Sequence, residues 1–247
     1  MVRTLVTGGT GTLGSVLRPR LLEAGHEVRA TSRDPPADDD VGWVEMDLAE
    51  GAGIEDAVAD TDVIVHTATA PQGDTEAVDV AGTKRLLTAA ADAGVENLVY
   101  VSIVGVDGIP FSYYEHKLAA ERAVEQSDVP TTIVRSTQFH SFVADLLGSL
   151  RWLPIWPLPT EFRSQPIAVA EAADAILDHA TVEAAGRVPD IGGPAVLTLG
   201  EMARAYRRTR GLRRLQFRLP LPGEVADAFR DGKATCPDRT VGTTPFE

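Results

Sequence analysis

A tyrosine and a lysine four residues apart are the side chains of this sequence best suited to proton transfer. Tyr113 and Lys117 form a Tyr-x-x-x-Lys pattern, which a chain of 247 residues with four tyrosines and three lysines gives by chance only about 0.05 times. A phenol is a weak acid at neutral pH, but an ammonium beside it stabilises the phenolate and lowers the pKa of the phenol. The pair therefore predicts a general acid or base, with a lysine that can also bond a ribose.

The local sequence places this pair on a helix. Ser112 and Glu115 have the spacing of a capping box, which puts Tyr113 in the first helical turn and Lys117 one turn later on the same face. Ser102 closes the predicted strand before this helix, and its hydroxyl is suited to polarising a substrate carbonyl together with Tyr113. The structural alternatives are a serine that caps the next turn, and a surface lysine beside a half-buried tyrosine.

A glycine-rich loop near the start of the chain indicates a bound dinucleotide. The glycines at 8, 11 and 14 leave a predicted strand and open a predicted helix. Glycine permits a tight turn and the close approach of a pyrophosphate, which the helix N-terminus stabilises. The pattern favours dinucleotide binding over a plain turn between a strand and a helix. The predicted cofactor-binding residues of this loop are Gly8, Thr10, Gly11, Thr12, Leu13 and Gly14.

The end of the second predicted strand indicates which dinucleotide is bound. NAD sites usually place an acidic residue there to bond the ribose hydroxyls, whereas an arginine accommodates the 2′-phosphate of NADP. This sequence has Ser32 and Arg33 at that point, followed by Asp34. We therefore expect NADP, held by Ser32 and Arg33. The alternatives are NAD bound through Asp34, and an Arg33 that is only an exposed loop charge.

These candidate residues need an alternating framework to position them. The β-branched runs at 3–6, 27–31, 43–46, 62–66, 98–102 and 131–134 are predicted strands, and the predicted helices run to residue 24 and over 54–59, 75–93 and 112–127. Strands separated by helices form a parallel sheet with helices on both faces. The predicted fold class is α/β, a Rossmann-type doubly wound parallel sheet.

The pattern changes after residue 136. Four prolines predict a loop over 152–166, and we expect a helix at 169–180, a strand at 188–191 and a helix from the capping box of Thr198 and Glu201 to 211. We expect a dinucleotide-binding core at 1–136 and a smaller substrate-binding lobe at 137–247, packed on the same domain. Aromatic residues of this lobe are predicted to line an apolar pocket, with a structural histidine as the alternative: Phe139, His140, Phe142, Trp152 and Trp156.

Composition limits the partners. With 23 basic and 36 acidic residues the formal net charge is -13, which argues against nucleic acid or an anionic membrane as the main partner. Cys236 is the only cysteine, so the chain has no internal disulfide, and we expect no metal site, a cytoplasmic location and a small-molecule substrate. Seven arginines are expected to form a solvated helix face rather than a binding patch: Arg204, Arg207, Arg208, Arg210, Arg213, Arg214 and Arg218.

The motifs together resemble the short-chain dehydrogenase/reductase superfamily, within it the atypical NmrA-like and NAD(P)-dependent epimerase-like members. The resemblance covers about residues 1–136 and implies a Rossmann fold, a nicotinamide dinucleotide, and a catalytic group of Ser102, Tyr113 and Lys117. It also implies cofactor contacts at Asp47, Leu48, Thr67, Ala68 and Thr69. The matching segments are Thr7-Gly-Gly-Thr-Gly-Thr-Leu-Gly14, Asp47-Leu48, His66-Thr-Ala-Thr-Ala70, Val80-Ala-Gly-Thr83, Val101-Ser102, Tyr113-x-x-x-Lys117 and Arg135.

Two departures from the superfamily pattern bear on activity. Asp79 stands where an asparagine often precedes Val80, and the segment from His66 to Ala70 replaces the usual Asn-Asn-Ala-Gly. The leading hypothesis is an NAD(P)H-dependent oxidoreductase that acts on a small carbonyl, alcohol or quinone-like substrate. The alternatives are a non-catalytic NAD(P)-binding sensor, since atypical members include such proteins, and a sugar-nucleotide epimerase.

Overall fold

The computed structural model describes residues 1–37 and 41–246, and the chain forms two compact units. These units differ from the predicted ranges 1–136 and 137–247, because residues 173–189 return to the first unit and residues 103–111 belong to the second. The first unit comprises Met1–Ser102, Ser112–Val134 and Ala173–Pro189. The second comprises Ile103–Phe111, Arg135–Ala172 and Asp190–Glu247.

The alternation of strands and helices predicted from the sequence is present. The strands are β1 (Arg3–Thr7), β2 (Glu27–Ser32), β3 (Gly42–Glu45), β4 (Val63–His66), β5 (Asn97–Ile103), β6 (Thr131–Ser136), β7 (Ile155–Leu158), β8 (Arg163–Ser164), β9 (Gly186–Arg187), β10 (Leu197–Thr198) and β11 (Leu215–Arg218). The α-helices are α1 (Gly14–Glu23), α2 (Ile54–Val58), α3 (Thr83–Asp92), α4 (Ser112–Glu125), α5 (His140–Ser149), α6 (Val169–Leu177), α7 (Leu199–Thr209) and α8 (Glu224–Arg230). Among the described residues, no helix combines the length and the apolar character that crossing a membrane requires.

A seven-stranded parallel sheet forms the centre of the first unit, in the order β3-β2-β1-β4-β5-β6-β9. The first six strands have the order of a Rossmann fold, as predicted, and the order reverses between β1 and β4. At this reversal Thr7 of β1 is the register partner of His66 of β4. In open α/β sheets the ligand crevice lies beyond the carboxyl ends of the strands at such a point. The loops that follow Thr7 and His66 therefore border the expected cofactor crevice.

Three predicted elements differ from the structure. The helix predicted over 75–93 is divided into a π-helix, Glu76–Gly82, and α3. The loop predicted over 152–166 contains β7, which pairs in parallel with β11, and β8, which pairs with β10. Proline is tolerated in an edge strand because no hydrogen bond is required from its nitrogen, and β7 accommodates Pro157 in this way. The strand expected at 188–191 lies at Gly186–Arg187 instead, and Ile191 makes only an isolated bridge to Ser136.

The aromatic residues predicted to line a pocket in this lobe lie at different depths in the second unit. Trp156 is fully buried among the side chains of α5 and α7, whereas Phe142 and Trp152 are 56% and 75% exposed. The ring of His140 lies edge-on to Phe246 at 5.4 Å between centroids. Phe139 and His140 are half-buried, so the five predicted residues lie at different depths rather than along one described cavity wall.

The arginine cluster is largely exposed or bonded to its own surroundings. Arg204 and Arg208 are exposed on α7, and Arg210 is exposed directly after this helix. Arg207 donates to the carbonyl oxygen of Arg214, and Arg218 pairs with Glu161 at 2.7 Å. The cluster is therefore largely solvated, but it is not one helix face, because Arg204, Arg207 and Arg208 lie on α7 whereas Arg218 lies on β11.

The hydroxyl of Thr7 connects the two strands at the reversal of the sheet. Its oxygen lies 2.7 Å from Nδ1 of His66 and accepts hydrogen bonds from the backbone amides of Thr67 and Ala68 at 3.2 and 3.3 Å. A hydroxyl has one proton and two acceptor lone pairs, so Thr7 donates its proton to Nδ1. The imidazole proton is then on Nε2, which donates to Oγ1 of Thr83 at 3.0 Å.

His66 is uncharged in this network. Its side chain is 1% exposed, and burial, with the positive charge of Lys117 as the second cause, lowers the pKa of His66 to about 3. The pKa of a histidine in an unfolded chain is about 6.5. Between these two pKa values the unfolded chain binds more protons than the folded chain, so acid favours unfolding there.

We predict that the free energy of unfolding decreases as the pH falls from about 7 to about 4, and that His66→Asn makes this dependence shallower. The asparagine oxygen accepts the same bond from Thr7 but binds no proton. Urea denaturation at several pH values measures both slopes, with His179→Asn as the control at a less buried histidine. Equal slopes for the parent and His66→Asn would contradict the assignment.

Candidate functional site

The loop after β1 is packed so closely that three of its glycines, Gly8, Gly9 and Gly14, have no room for a side chain. Gly8 has a φ of 66°, and a Cβ on it would lie 2.8 Å from Cα of Ala68. A Cβ on Gly14 would overlap the carbonyl oxygen of Gly8. Gly11 is exposed, and its Cβ would meet only that same oxygen, at 3.1 Å. Packing of the loop therefore requires Gly8 and Gly14, whereas the outer side of Gly11 is open.

The N-terminus of α1 presents backbone donors beside this loop. The amides of Thr10, Thr12 and Leu13 make no hydrogen bond to any part of the chain that the structure describes. Leu13 has a buried side chain, whereas Thr10 and Thr12 are exposed. Free amides at a helix N-terminus bind anions such as a pyrophosphate. The loop residues named from the sequence therefore fit the phosphates of a dinucleotide.

The residues predicted to contact the adenosine half lie just beyond β2. Oγ of Ser32 lies 3.4 Å from Oγ1 of Thr10, which connects the end of β2 to the glycine loop. Oγ of Ser32 also donates to the carbonyl oxygen of Asp34 at 3.0 Å. Arg33 is exposed, and its guanidinium makes no hydrogen bond or ion pair with residues 1–37 or 41–246. Arg33 is thus accessible to a phosphate from solvent.

Asp47 and Leu48, implied by the resemblance, have partly structural roles. Oδ1 of Asp47 accepts hydrogen bonds from the amides of Ala49 and Glu50 at 2.7 and 3.2 Å. Leu48 is buried, and a Cβ on Gly82 would lie 2.7 Å from its own Cβ. One carboxylate oxygen of Asp47 therefore fixes the turn after β3, and Leu48 packs against the end of the π-helix.

Sequence reasoning missed Arg18 and Trp43, which lie beside the glycine loop. Nε of Arg18 donates to the carbonyl oxygen of Gly9 at 3.1 Å, and its guanidinium carbon lies 4.6 Å from the centre of the Trp43 ring. A Cβ on Gly9 would lie 3.1 Å from that ring. Arg18 follows Gly14 by one turn of the predicted helix, and this spacing is the signal that identifies it.

A directed chain of hydrogen bonds ends at Tyr113. Oγ1 of Thr69 donates to Oδ1 of Asp79 at 2.6 Å and lies 3.0 Å from the hydroxyl oxygen of Tyr113. Because the single proton of Thr69 is given to Asp79, Thr69 accepts a hydrogen bond from Tyr113. Oδ2 of Asp79 accepts from the amide of Ala70 at 2.9 Å. Thr69, predicted as a cofactor contact, is thus the direct partner of the candidate acid.

Lys117 is buried one helical turn after Tyr113, as the spacing predicts. Its side chain is 4% exposed, and Nζ donates to the carbonyl oxygen of Val101 at 3.1 Å. Nζ also lies 3.6 Å from Oδ1 of Asp79 and 4.4 Å from the centre of the Tyr100 ring. These contacts contradict the surface-lysine alternative and place an ammonium within the same cluster as Tyr113.

Several effects with opposite signs act on Tyr113. Burial raises the pKa of its phenol above the ordinary value. The charge of Lys117 lowers this pKa, whereas the charge of Asp79 raises it. The net direction is upward, so the hydroxyl is protonated at neutral pH.

Ser102 lies apart from this chain of hydrogen bonds. It is buried, and its hydroxyl donates to Oε2 of Glu121, which is also buried on α4. Side chains alternate between the two faces of a strand, and Ser102 is on the face that α4 covers. The sequence suggested a hydroxyl beside Tyr113, but in the structure the hydroxyl at that position belongs to Thr69.

Comparison with known proteins shows which family and which solved structures the chain resembles. Residues 8–147 match the profile of a family described as NAD(P)H-binding. The chain is 35% identical over 154 residues to the 3-beta-hydroxysteroid dehydrogenase of Mycolicibacterium neoaurum. The aligned region covers 49% of this chain and 42% of that protein. The chain thus spans less than half the length of the curated relatives it matches.

Two solved structures share the fold over nearly the whole chain. One is a short-chain dehydrogenase/reductase superfamily protein from Agrobacterium tumefaciens with bound NAD, with a TM-score of 0.74, 18% identity, and coverage of 94% of this chain and 96% of that chain. The other is MoeE5 in complex with UDP-glucose and NAD, with a TM-score of 0.74, 23% identity, and coverage of 91% and 87%. At these identities the likeness establishes the fold alone.

We predict that Gly11→Val abolishes or strongly weakens NADPH binding while the chain still folds, because the added side chain points to the open side of the loop where a pyrophosphate must approach. Calorimetric titration with NADPH measures the affinity. Gly42→Val, at a strand position where a Cβ meets nothing closer than 4.0 Å, is the matched control. Unchanged affinity of Gly11→Val would mean that the pyrophosphate lies elsewhere.

Proposed function

Because the chain belongs to the NAD(P)H-binding family and has the Rossmann fold of the short-chain dehydrogenases/reductases, we propose that it is an NADP(H)-dependent oxidoreductase of a small carbonyl compound or alcohol. One observation carries the proposal. Tyr113, hydrogen-bonded to Thr69 at 3.0 Å, has the buried ammonium of Lys117 one helical turn away. This arrangement provides a proton donor in a Rossmann fold that has a free anion-binding loop.

The cofactor would be held by the glycine loop and the residues beyond β2. The free amides of Thr10, Thr12 and Leu13 suit the pyrophosphate, and the accessible guanidinium of Arg33 suits a 2′-phosphate. When bound, the nicotinamide supplies or accepts the hydride at the substrate carbon. The residue after Ser32 is an arginine rather than an acidic residue, which favours NADP over NAD.

In the reducing direction Tyr113 would act as the general acid. The substrate carbon receives the hydride, the carbonyl oxygen takes the proton of Tyr113, and the alcohol leaves. The resulting phenolate is stabilised by Lys117 and takes up a proton from solvent before the next turnover. In the oxidising direction the same phenolate accepts the hydroxyl proton. One carbonyl thus consumes one hydride and one proton.

A non-catalytic NAD(P) sensor is the second candidate. Two observations favour it: the hydroxyl of Ser102 is bonded to Glu121 rather than available to a substrate, and Asp79 replaces the usual asparagine. A substrate screen separates the two candidates. Quinones, enones, ketones, aldehydes, hydroxysteroids and nucleotide sugars are offered with NADPH or NADP, and consumption or formation of NADPH is followed.

We predict that Arg33→Ala weakens NADPH binding by about 1.5–3 kcal/mol, the range for a hydrogen bond to a charged group, and changes NADH binding little. Calorimetric titration of both cofactors gives the two differences. Arg122→Ala, at an exposed arginine of α4, controls for the loss of one positive charge. An equal loss for NADPH and NADH would show that Arg33 does not recognise the 2′-phosphate.

We predict that Tyr113→Phe lowers kcat by about 10²–10⁴-fold, the usual contribution of a positioned acid, while stability and NADPH binding remain. Lys117→Arg also impairs turnover, because a planar guanidinium does not fit the place of a compact ammonium. Tyr114→Phe, at the next residue of α4, controls for the loss of a hydroxyl and retains turnover.

Ser102→Ala separates structure from chemistry in the same assay. Because the hydroxyl of Ser102 is bonded to Glu121, the variant is expected to lose stability and to keep most of kcat. Normal turnover by Tyr113→Phe would disprove the assignment of the acid. A substrate screen with no turnover, together with tight NADPH binding, would favour the sensor.

A further inference from the structure

Asp79 is a buried carboxylate that faces both candidate catalytic residues. It is 1% exposed, and both of its oxygens accept hydrogen bonds, from Thr69 and from the amide of Ala70. An ionised carboxylate is an acceptor only, which matches both of these bonds. Its remaining neighbour is Nζ of Lys117 at 3.6 Å from Oδ1. Asp79 thus forms a buried ion pair with the residue that would stabilise a phenolate at Tyr113.

We propose that Asp79 keeps Tyr113 in its protonated form, which adapts this site to carbonyl reduction rather than to alcohol oxidation. This inference rests on the proposed function for its chemical consequence, whereas the protonation state of Tyr113 is testable without any substrate.

The direction of the hydrogen bonds favours a protonated Tyr113. The proton of Thr69 is committed to Asp79, so Thr69 presents only lone pairs to Tyr113. A protonated phenol donates to these lone pairs. A phenolate would face them with its own negative charge and would lose the bond, unless Thr69 turned its proton away from a buried carboxylate. The geometry therefore stabilises the phenol relative to the phenolate.

Electrostatic compensation also favours a protonated Tyr113. The ammonium of Lys117 would favour a phenolate at Tyr113, but the opposite charge of Asp79 lies 3.6 Å from that ammonium and offsets its effect. In a buried setting this compensation is stronger than it would be in water. Lys117 therefore stabilises a phenolate at Tyr113 less than a lysine without an ion-pair partner would.

The other titratable groups around the phenol do not reverse this balance. Tyr100 of β5 has a pKa raised well above the ordinary value, mainly by burial, so it is uncharged. His66 of β4 is neutral, and Glu121 of α4 adds negative charge that raises the pKa of Tyr100. Among the described residues, Lys117 is the positive charge that lowers the pKa of Tyr113, and burial together with Asp79 outweighs it.

An amide at position 79 would reverse the chain of hydrogen bonds. In Asp79→Asn the amide oxygen accepts from the backbone of Ala70, and the NH₂ group donates to Thr69. The proton of Thr69 is then free to be donated to the oxygen of Tyr113. The substitution also removes the charge that offsets Lys117. Both changes stabilise the phenolate, so Asp79→Asn should lower the pKa of Tyr113.

The test is a titration of the ultraviolet absorbance of tyrosinate in the full chain, with circular dichroism at each pH to confirm folding. Subtraction of the Tyr113→Phe curve isolates Tyr113 from the other tyrosines. We expect Tyr113 of the parent to titrate above about 10, the value of a free tyrosine, and Asp79→Asn to titrate at least about one pH unit lower. Glu76→Gln, at an exposed acid on the same π-helix, is the matched control and should leave the titration of Tyr113 unchanged.

Two results would overturn the proposal: a Tyr113 that titrates below about 10 in the parent, or an Asp79→Asn titration equal to that of the parent. If Asp79→Asn does not fold, the pKa of Tyr113 in the parent alone tests the proposal. With a substrate in hand, the pH at which oxidation reaches half its maximum should also fall by about one unit in Asp79→Asn. A titration as expected without turnover on any substrate would refute the proposed function and leave the role of Asp79 intact.

Discussion

The hydroxyl of Thr7 satisfies three groups at once where the strand order of the sheet reverses. It holds the imidazole of His66 and the amides of Thr67 and Ala68, so the end of β1 and the loop after β4 have one fixed relation. This relation brings Ala68 against Gly8, which leaves no space for a side chain on that glycine. A methyl group in place of the hydroxyl would leave all three partners unsatisfied, which is costly for buried polar groups.

The loop after β4 also helps to position the proton donor, Tyr113. Because the backbone at 67 and 68 is fixed, Thr69 is held between Asp79 and Tyr113. The interior behind it contains an ion pair and a neutral imidazole rather than a second cation. The neutrality of His66 follows in part from Lys117, whose charge opposes protonation of the ring. Sheet geometry and site electrostatics therefore depend on one set of contacts.

Features that depend on local pattern were predictable from the sequence. The periodicity of the strands and helices predicted the parallel sheet, and the glycine spacing predicted the loop after β1. The spacing of Tyr113 and Lys117 predicted that both lie on one face of α4. The orientation of Ser102 was not predictable, because the strand pattern does not reveal which face α4 covers. Thr69 was named for the cofactor, and its bond to Tyr113 depends on a contact between segments 44 residues apart.

The π-helix explains why Asp79 could not be placed from an α-helical pattern. A helix of this type has wider turns than an α-helix, and such segments often occur within α-helices near functional sites. Loss of one residue from Glu76–Gly82 would convert the segment to an α-helix and leave α3 in place. The carboxylate would then rotate away from Lys117. The length of this short segment is therefore itself a determinant of the site, and alignments that shift it by one residue would pair Lys117 with a different side chain.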